Sequence, residues 1–151
     1  MLDEAARLRR HCPVRIETAE VSAAPVLGDR GDLARLVRNL LDNAVAHAGS
    51  VVRLTLCTAA YEVRLAVEDD GPGVADGERA RLFDRFCRSD GARGRADGGN
   101  GLGLAIAQSI ARQHDGRITI EDGTVGARFV VRLPAQPGHV VALTGVGSLF
   151  P

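Results

Sequence analysis

Three short stretches of this chain carry groups that could do chemistry. Asn39 and Asn43 stand four residues apart, one turn on a helix. Asparagine is poorly suited to a mid-helix surface, because its side chain competes for backbone hydrogen bonds. The pair reads either as a solvated face with incidental amides or as a face with a polar task. Asp69 ends an alternating segment and is followed by Gly71 and Gly73. It reads either as part of an acidic turn or as a carboxylate presented to a ligand. Gly99, Gly101 and Gly103 alternate in the run Gly99-Asn100-Gly101-Leu102-Gly103-Leu104. Glycines there let backbone approach a ligand closely, and a helix beginning there aims free N–H groups and a positive dipole end outward. That run either turns a corner or cradles a phosphate.

The elements that must position these groups follow from periodicity. Residues 1–12 read as a lead-in helix and linker ended by Pro13. Val14 to Thr18 alternates as a strand, and Pro25-Val26-Leu27 suggests another short one. Asp29 is a helix N-cap with Asp32 in the first turn. Leu33, Leu36, Val37, Leu40, Leu41, Ala44 and Val45 then share one helical face, with Asn39, Asn43, Ala46 and His47 on another stripe. Val52, Leu54, Leu56 and Tyr61, Val63, Leu65, Val67 alternate as a hairpin with one buried face. A short helix is expected over Asp76–Phe86, with Leu82, Phe83 and Phe86 inward. The glycine-rich run Ser89–Gly98 cannot pack and is expected to be mobile. A second amphipathic helix starts after it and stops at His114-Asp115-Gly116, with His114 structural and Gly116 at C′. Arg117–Glu121 and Ala127–Leu133 form a final hairpin. Residues 135–151 read as a tail. One mixed sheet with its helices on one face, an α+β sandwich, accounts for these elements.

The totals narrow the function classes. The chain has 151 residues, with 19 basic residues balancing 19 acidic ones. All the basic residues are arginine. That balance gives no general attraction to nucleic acid or acidic lipid, and 3% aromatics argues against base-stacking platforms. The 3 cysteines are odd in number and form no C-x-x-C pair, which favours reduced thiols and a cytoplasmic location. No run reaches membrane-spanning length, so no direct membrane insertion is expected.

The order of the motifs says more than any one of them. Asn39-Leu-Leu-Asp-Asn43-Ala is followed by Asp69-x-Gly-x-Gly, Phe83-Asp-Arg-Phe86, Gly99-x-Gly-Leu-Gly-Leu and Gly126-x-x-Phe129. This succession resembles the N, G1, F, G2 and G3 boxes of the ATP-binding catalytic domain of sensor histidine kinases, within the GHKL ATPases. The resemblance covers residues 13–134 and implies a Bergerat fold: a two-layer α/β sandwich whose mixed, mostly antiparallel sheet has helices on one face and a flexible ATP lid. It implies ATP and Mg²⁺ as ligands. Asp69 would accept from the adenine amino group, Gly71 and Gly73 would leave room beside the ring, and Asn43 would give an oxygen to Mg²⁺. Asn39 would help hold the triphosphate or its water. Gly99, Gly101 and Gly103 would offer N–H groups to the phosphates. Leu102 sits in the same nucleotide-binding run, although its side chain, like that of Leu104, suits the core. Phe86 of the F box joins the nucleotide-binding set.

Asn39 also separates subfamilies. Gyrase-like relatives and anti-sigma-factor kinases typically have glutamate there, a general base, whereas an amide cannot take a proton usefully at neutral pH. That fits phosphotransfer to a histidine rather than water activation. Ala46 replaces a basic residue common in relatives, so the resemblance puts phosphate charge on Arg88 or a lid arginine and makes Asn39, Asn43 and Arg88 the catalytic set. His47 stands where a ring commonly lies against adenine. Gly126-Ala127-Arg128 lacks the usual threonines. Cys87 is expected to have no redox role.

None of His11, His47, His114 or His139 has the context of a phosphoacceptor. The expected function is therefore delivery of the ATP γ-phosphoryl group to a histidine on a phosphoacceptor (dimerisation) domain or separate subunit, upstream of a response regulator. The chain is expected to be either a truncated catalytic domain or a natural split-kinase subunit. A non-catalytic, ATP-sensing module is the alternative.

Overall fold

The structure is a computed structural model that describes residues 13–21, 24–84 and 101–136. Its elements are β1 (Arg15–Val21), α1 (Arg30–His47), β2 (Val51–Ala59), β3 (Glu62–Asp69), α2 (Asp76–Arg79), α3 (Gly103–Gln113), β4 (Arg117–Asp122) and β5 (Ala127–Pro134). The strands form one five-stranded sheet in the order β1-β2-β3-β5-β4. β1 runs parallel to β2, and the other pairings are antiparallel. The expected α+β sandwich with a mixed, mostly antiparallel sheet is what the chain adopts.

The helices cover one face because the strands alternate. Val52, Leu54 and Leu56 of β2, Val63, Leu65 and Val67 of β3, and Phe129, Val131 and Leu133 of β5 all join the core. The apolar stripe of α1 lies on β2 and β3, while Leu104, Ala107, Ile110 and Ala111 bring α3 over β4 and β5. Burying a leucine as fully as Leu40 stabilises the fold by about 2 kcal/mol relative to exposing it. The opposite face carries a lattice of charges. Arg132 donates to Thr119 (2.9 Å) and Glu121 (2.5 Å), and Arg64 donates to the other Glu121 oxygen (2.9 Å). These guanidinium groups, that of Arg132 first, hold the Glu121 carboxyl below its ordinary range. Val130 is fully buried on that face, flanked along its strand by the long stems of Arg128 and Arg132.

Several local devices fix the ends of the helices. Asp29 caps α1 by accepting from the Asp32 N–H at 2.9 Å. His114, at the end of α3, is structural as its sequence suggested. Its Nδ1 lies 2.8 Å from the Ile110 carbonyl, and its Nε2 accepts from the Asp29 N–H at 3.3 Å. The ring thus joins the last turn of α3 to the start of α1. The left-handed position after α3 belongs to Asp115 (φ 58°), not Gly116. Gly116 N–H donates back to Ala111 (2.8 Å) and Asp115 N–H to Arg112 (3.1 Å), a Schellman closure one residue earlier than expected.

Two other expectations differ. Pro25–Leu27 is not a strand, although Ala24 and Val26 are buried. The helix expected over Asp76–Phe86 is a single turn, Asp76–Arg79, followed by turns to Asp84. Its residues include Gly77 and no apolar stripe, so neither propensity nor burial extends it. The lead-in residues 1–12, the lid segment and residues 137–151 of the tail lie outside the described residues.

Asp70 organises the turn before β2. Its carboxylate accepts from the N–H groups of Gly49 (2.9 Å), Ser50 (3.0 Å) and Val51 (3.1 Å) and from the Ser50 hydroxyl (2.6 Å). These bonds, led by the Ser50 hydroxyl, hold its pKa well below the ordinary 3.8. A depressed carboxylate stabilises the folded state above its unfolded pKa and loses that contribution as pH falls towards its folded one. Asp70→Asn should therefore lower stability at pH 7 by about 1 kcal/mol, the size of a solvent-screened cap. In urea unfolding, the gap between variant and wild type should narrow progressively once pH drops below 3.8.

Candidate nucleotide site

β3 alternates until its last residue, so Asp69 faces the helices like Leu65 and Val67 before it. It is the one charged or polar residue that is buried among the described residues, with 3% of its surface exposed. Burial pushes its pKa above 3.8, against the opposing pull of the Gly71 and Ala127 N–H groups and of His47 nearby. The Gly71 N–H donates to Asp69 Oδ1 at 2.8 Å. A buried carboxylate so placed is a fixed acceptor with capacity left for a further donor.

Two glycines make this geometry possible. A Cβ on Gly71 would overlap the His47 carbonyl oxygen and lie 2.8 Å from Asp69 Oδ1. A Cβ on Gly126 would overlap the Asp69 carbonyl oxygen and lie 2.7 Å from the same Oδ1. The loop after β3, the end of α1 and the start of β5 therefore close on one carboxylate. Gly73, at φ 76°, then turns the chain away.

A cleft opens beside Asp69. α1 contributes Asn43 and His47 to it, the loop after β3 contributes Gly73 and Val74, and β5 contributes Ala127 and Phe129. Glu78 of α2 and Leu82 complete the lining. The expected residues Asn43, His47, Asp69 and Gly73 thus share one cavity, and Gly71 hydrogen-bonds its Asp69. Asn43 is half-buried, while the side of α1 at His47 is open to solvent.

One turn back on α1, Asn39 faces the start of α3. Its side-chain Cγ and Oδ1 lie 3.9 and 4.0 Å from the Cβ position of Gly103. Its Nδ2 is buried without a hydrogen-bond partner. Gly101 (φ 65°) leads into α3, whose N-cap residue Leu102 provides no side-chain cap. Leu102 is half-buried and Leu104 buried. The first N–H groups of α3 have no capping side chain, and an orphan amide donor stands next to them. That pair suits an anion. Phe86, Arg88 and Gly99 of the expected site, with Arg85, Cys87, Arg93 and Arg95, lie outside the described residues.

Glu78 and Leu82 were not expected in the site. Leu82 was legible only as a core residue, and Glu78 carries no signal in its sequence context. Among the described residues no group of three histidine, cysteine or acidic side chains converges as a metal cage. A cation here would depend on few protein oxygens, such as that of Asn43, with the rest from its ligand and water, as suits magnesium.

Gly126→Ala puts a methyl group into the Asp69 backbone. Overpacking of that kind should cost about 1–3 kcal/mol, measured as a lowered urea midpoint at unchanged slope. Gly77→Ala, with nothing within 4 Å of its Cβ, should leave stability the same or higher.

The comparisons with known proteins agree with this geometry. The family model described as histidine kinase-, DNA gyrase B- and HSP90-like ATPase matches residues 28–137. The chain is 40% identical over 126 residues to the sensor-like histidine kinase SenX3 of Mycobacterium tuberculosis, covering 81% of this chain and 30% of that protein. It is 40% identical over 114 residues to the signal transduction histidine-protein kinase BaeS of Escherichia coli, covering 74% of this chain and 24% of that one. The chain thus spans less than a third of the length of these curated relatives. Among solved structures, it superposes on the mycobacterial sensor histidine kinase MprB with a TM-score of 0.74, at 33% identity over 90% of this chain and 91% of that one. It superposes on the ATP binding domain of PrrB from Mycobacterium tuberculosis with a TM-score of 0.68, at 30% identity over 89% and 88% of the two chains. An asparagine-bearing helix, a buried strand-end carboxylate and a glycine-led helix start, in this order and on this sheet, are accounted for together: the chain belongs to the histidine kinase-, DNA gyrase B- and HSP90-like ATPase family, as a catalytic domain of the sensor histidine kinase type.

Proposed function

We propose that this chain binds Mg-ATP in the cleft beside Asp69 and supplies its γ-phosphoryl group to a histidine of a phosphoacceptor domain. The observation that carries this reading is the buried Asp69 carboxylate at the floor of a cavity walled by Asn43 and His47. Asp69 accepts from the adenine amino group through its free lone pairs. Guanine presents a carbonyl at that position, and two oxygens facing each other repel. The His47 ring lies against the base, Gly71 and Gly73 leave the base room, and Phe86 of the F box is assigned to nucleotide binding on its sequence motif. Asn43 would give its amide oxygen to Mg²⁺, which would supply positive charge against that of the phosphates. Asn39 Nδ2 and the amides of Gly99, Gly101, Leu102 and Gly103 face the phosphates. With Ala46 supplying no charge, Arg88 stands in for the missing cation.

In the transfer, a nitrogen of the acceptor histidine attacks the γ-phosphorus. The bond to the β–γ bridging oxygen breaks, and ADP leaves with its electron pair. Asn39 takes no proton in this scheme, and none need be taken from an attacking water. The catalytic unit spans residues 13–134. Its partners are a phosphoacceptor domain, in the same protein or a separate subunit, and a response regulator downstream. The reaction belongs on the cytoplasmic side, where ATP is found.

Asp69→Asn turns one acceptor into an NH₂ group that must face another donor, either a backbone N–H or the adenine amine. It should weaken ATP binding about tenfold or more while weakening GTP binding less, as read by competition against a fluorescent nucleotide. Asn43→Ala should abolish the Mg²⁺ dependence of binding. Mixing the chain and Mg-ATP with a histidine-bearing acceptor domain should yield an acid-labile phosphoprotein. Tight ATP binding without such a product in a competent acceptor would reject phosphotransfer.

A further inference from the structure

α2, whose Glu78 lines the cleft, lacks the forces that usually hold a helix. α2 has no buried residue, and its N-cap residue, Ala75, makes no side-chain cap bond. A single turn has little stability of its own. Apolar contacts secure only the flanks of this segment. Val74 packs on the core before it, and Phe83 meets Phe129 edge-on after it, with ring centroids 6.4 Å apart. Between these anchors stands Glu78, which lines the cleft.

The next residue, Arg79, reaches out of this segment. Its Nη2 donates to Asp122 Oδ1 at the end of β4, and its Nε lies 3.4 Å from Asp76. Asp122 pairs in register with Ala127, which also lines the cleft. The turn between β4 and β5 is in turn fixed to β3, where Glu68 Oε1 accepts the Thr124 N–H at 2.6 Å. Arg79 therefore joins the segment that carries Glu78 to the strand end paired with Ala127, two elements that both line the cleft.

We propose that Arg79 is a positioning residue for nucleotide binding, and that its ion pair with Asp122 is a latch setting the width of the cleft between α2 and β5. This inference rests on the reading that the nucleotide base occupies that cleft. Asp122 is 88% exposed and Arg79 28%, so water and salt reach the pair. The latch is correspondingly light and sensitive to ionic strength. It acts on binding and not on the transfer step, because neither side chain lines the cleft.

The test is a double-mutant cycle on the full chain, with ATP affinity read by competition at low and high salt. Arg79→Gln and Asp122→Asn should each weaken ATP binding about two- to fivefold at low salt. The double variant should be no weaker than either single one. At high salt, the ratio of each variant to wild type should approach one. Phosphotransfer at saturating ATP should be unchanged in all three. Losses that add in the double variant, a ratio independent of salt, or single variants that bind as wild type does would each overturn the latch. Asp122→Asn alters an exposed side chain, so its fold should survive, and a thermal melt of each variant checks this. Asp69→Asn in the same series separates the two levels. If it loses ATP while the latch variants do not, only the latch is wrong. If it binds ATP normally, the cleft is not the nucleotide site and the inference falls with it.

Discussion

The arrangement depends on keeping one carboxylate dry. A buried, ionisable Asp69 is costly unless hydrogen-bond donors surround it, and the fold supplies these from backbone rather than from a counter-charge. Gly71 and Ala127 are the donors, and they arrive from different parts of the chain. To bring them close, the loop after β3 must run under the His47 carbonyl, and the start of β5 must touch Asp69 itself. Both approaches require residues without a Cβ. The same constraint thus sets the exit of β3, the end of α1 and the register of β5. An acceptor built this way is held in one place, as any selective hydrogen bond to a ligand requires.

The remainder of the site is graded in rigidity. α1 is long, capped and buried along one face, so Asn39 and Asn43 ride on the stiffest element near the cleft. α3 is held at its far end by His114, which joins it to the Asp29 amide. Its near end, at Gly101 and Gly103, has no side-chain cap. α2 is the least supported element, with exposed residues and one cross-link to the β4–β5 turn. Rigid groups therefore stand at the cleft beside Asp69, while more lightly held backbone stands at the uncapped start of α3.

Much of this was legible in the sequence because it rests on local pattern. Strict alternation in Val63, Leu65 and Val67 put Asp69 on the buried face. The stripe from Leu33 to Ala44 put Asn39 and Asn43 on the flank of α1. The chemistry of Asp69, an acceptor beside two glycines, could likewise be read from residue types. What stayed hidden depends on contacts across the fold. Asp70 looked like part of an acidic run, yet it gathers the turn at Gly49–Val51, about twenty residues away. Nothing near Arg79 announces Asp122. Leu82, Phe83 and Phe86 have helical spacing and so predict a helix over Asp76–Phe86, but Leu82 and Phe83 are held by the core and by Phe129 without a helix. Gly116 was placed at C′ by its residue type. The structure instead uses its lack of a side chain to let the chain pass Arg132, and puts Asp115 in the left-handed position.

The pairing of β1 has a kinetic side. β2 with β3, and β4 with β5, are joined by tight turns and can form as local hairpins. β1 instead lies parallel to β2, and its first register pair joins Arg15 to Val51 with the whole of α1 in between. Closing that loop has an entropic cost that the hairpins avoid. A folded and docked α1 shortens that loop and so favours the pairing of the edge strand. The helix bearing both asparagines thus serves the closure of the sheet as well as the lining of the cleft.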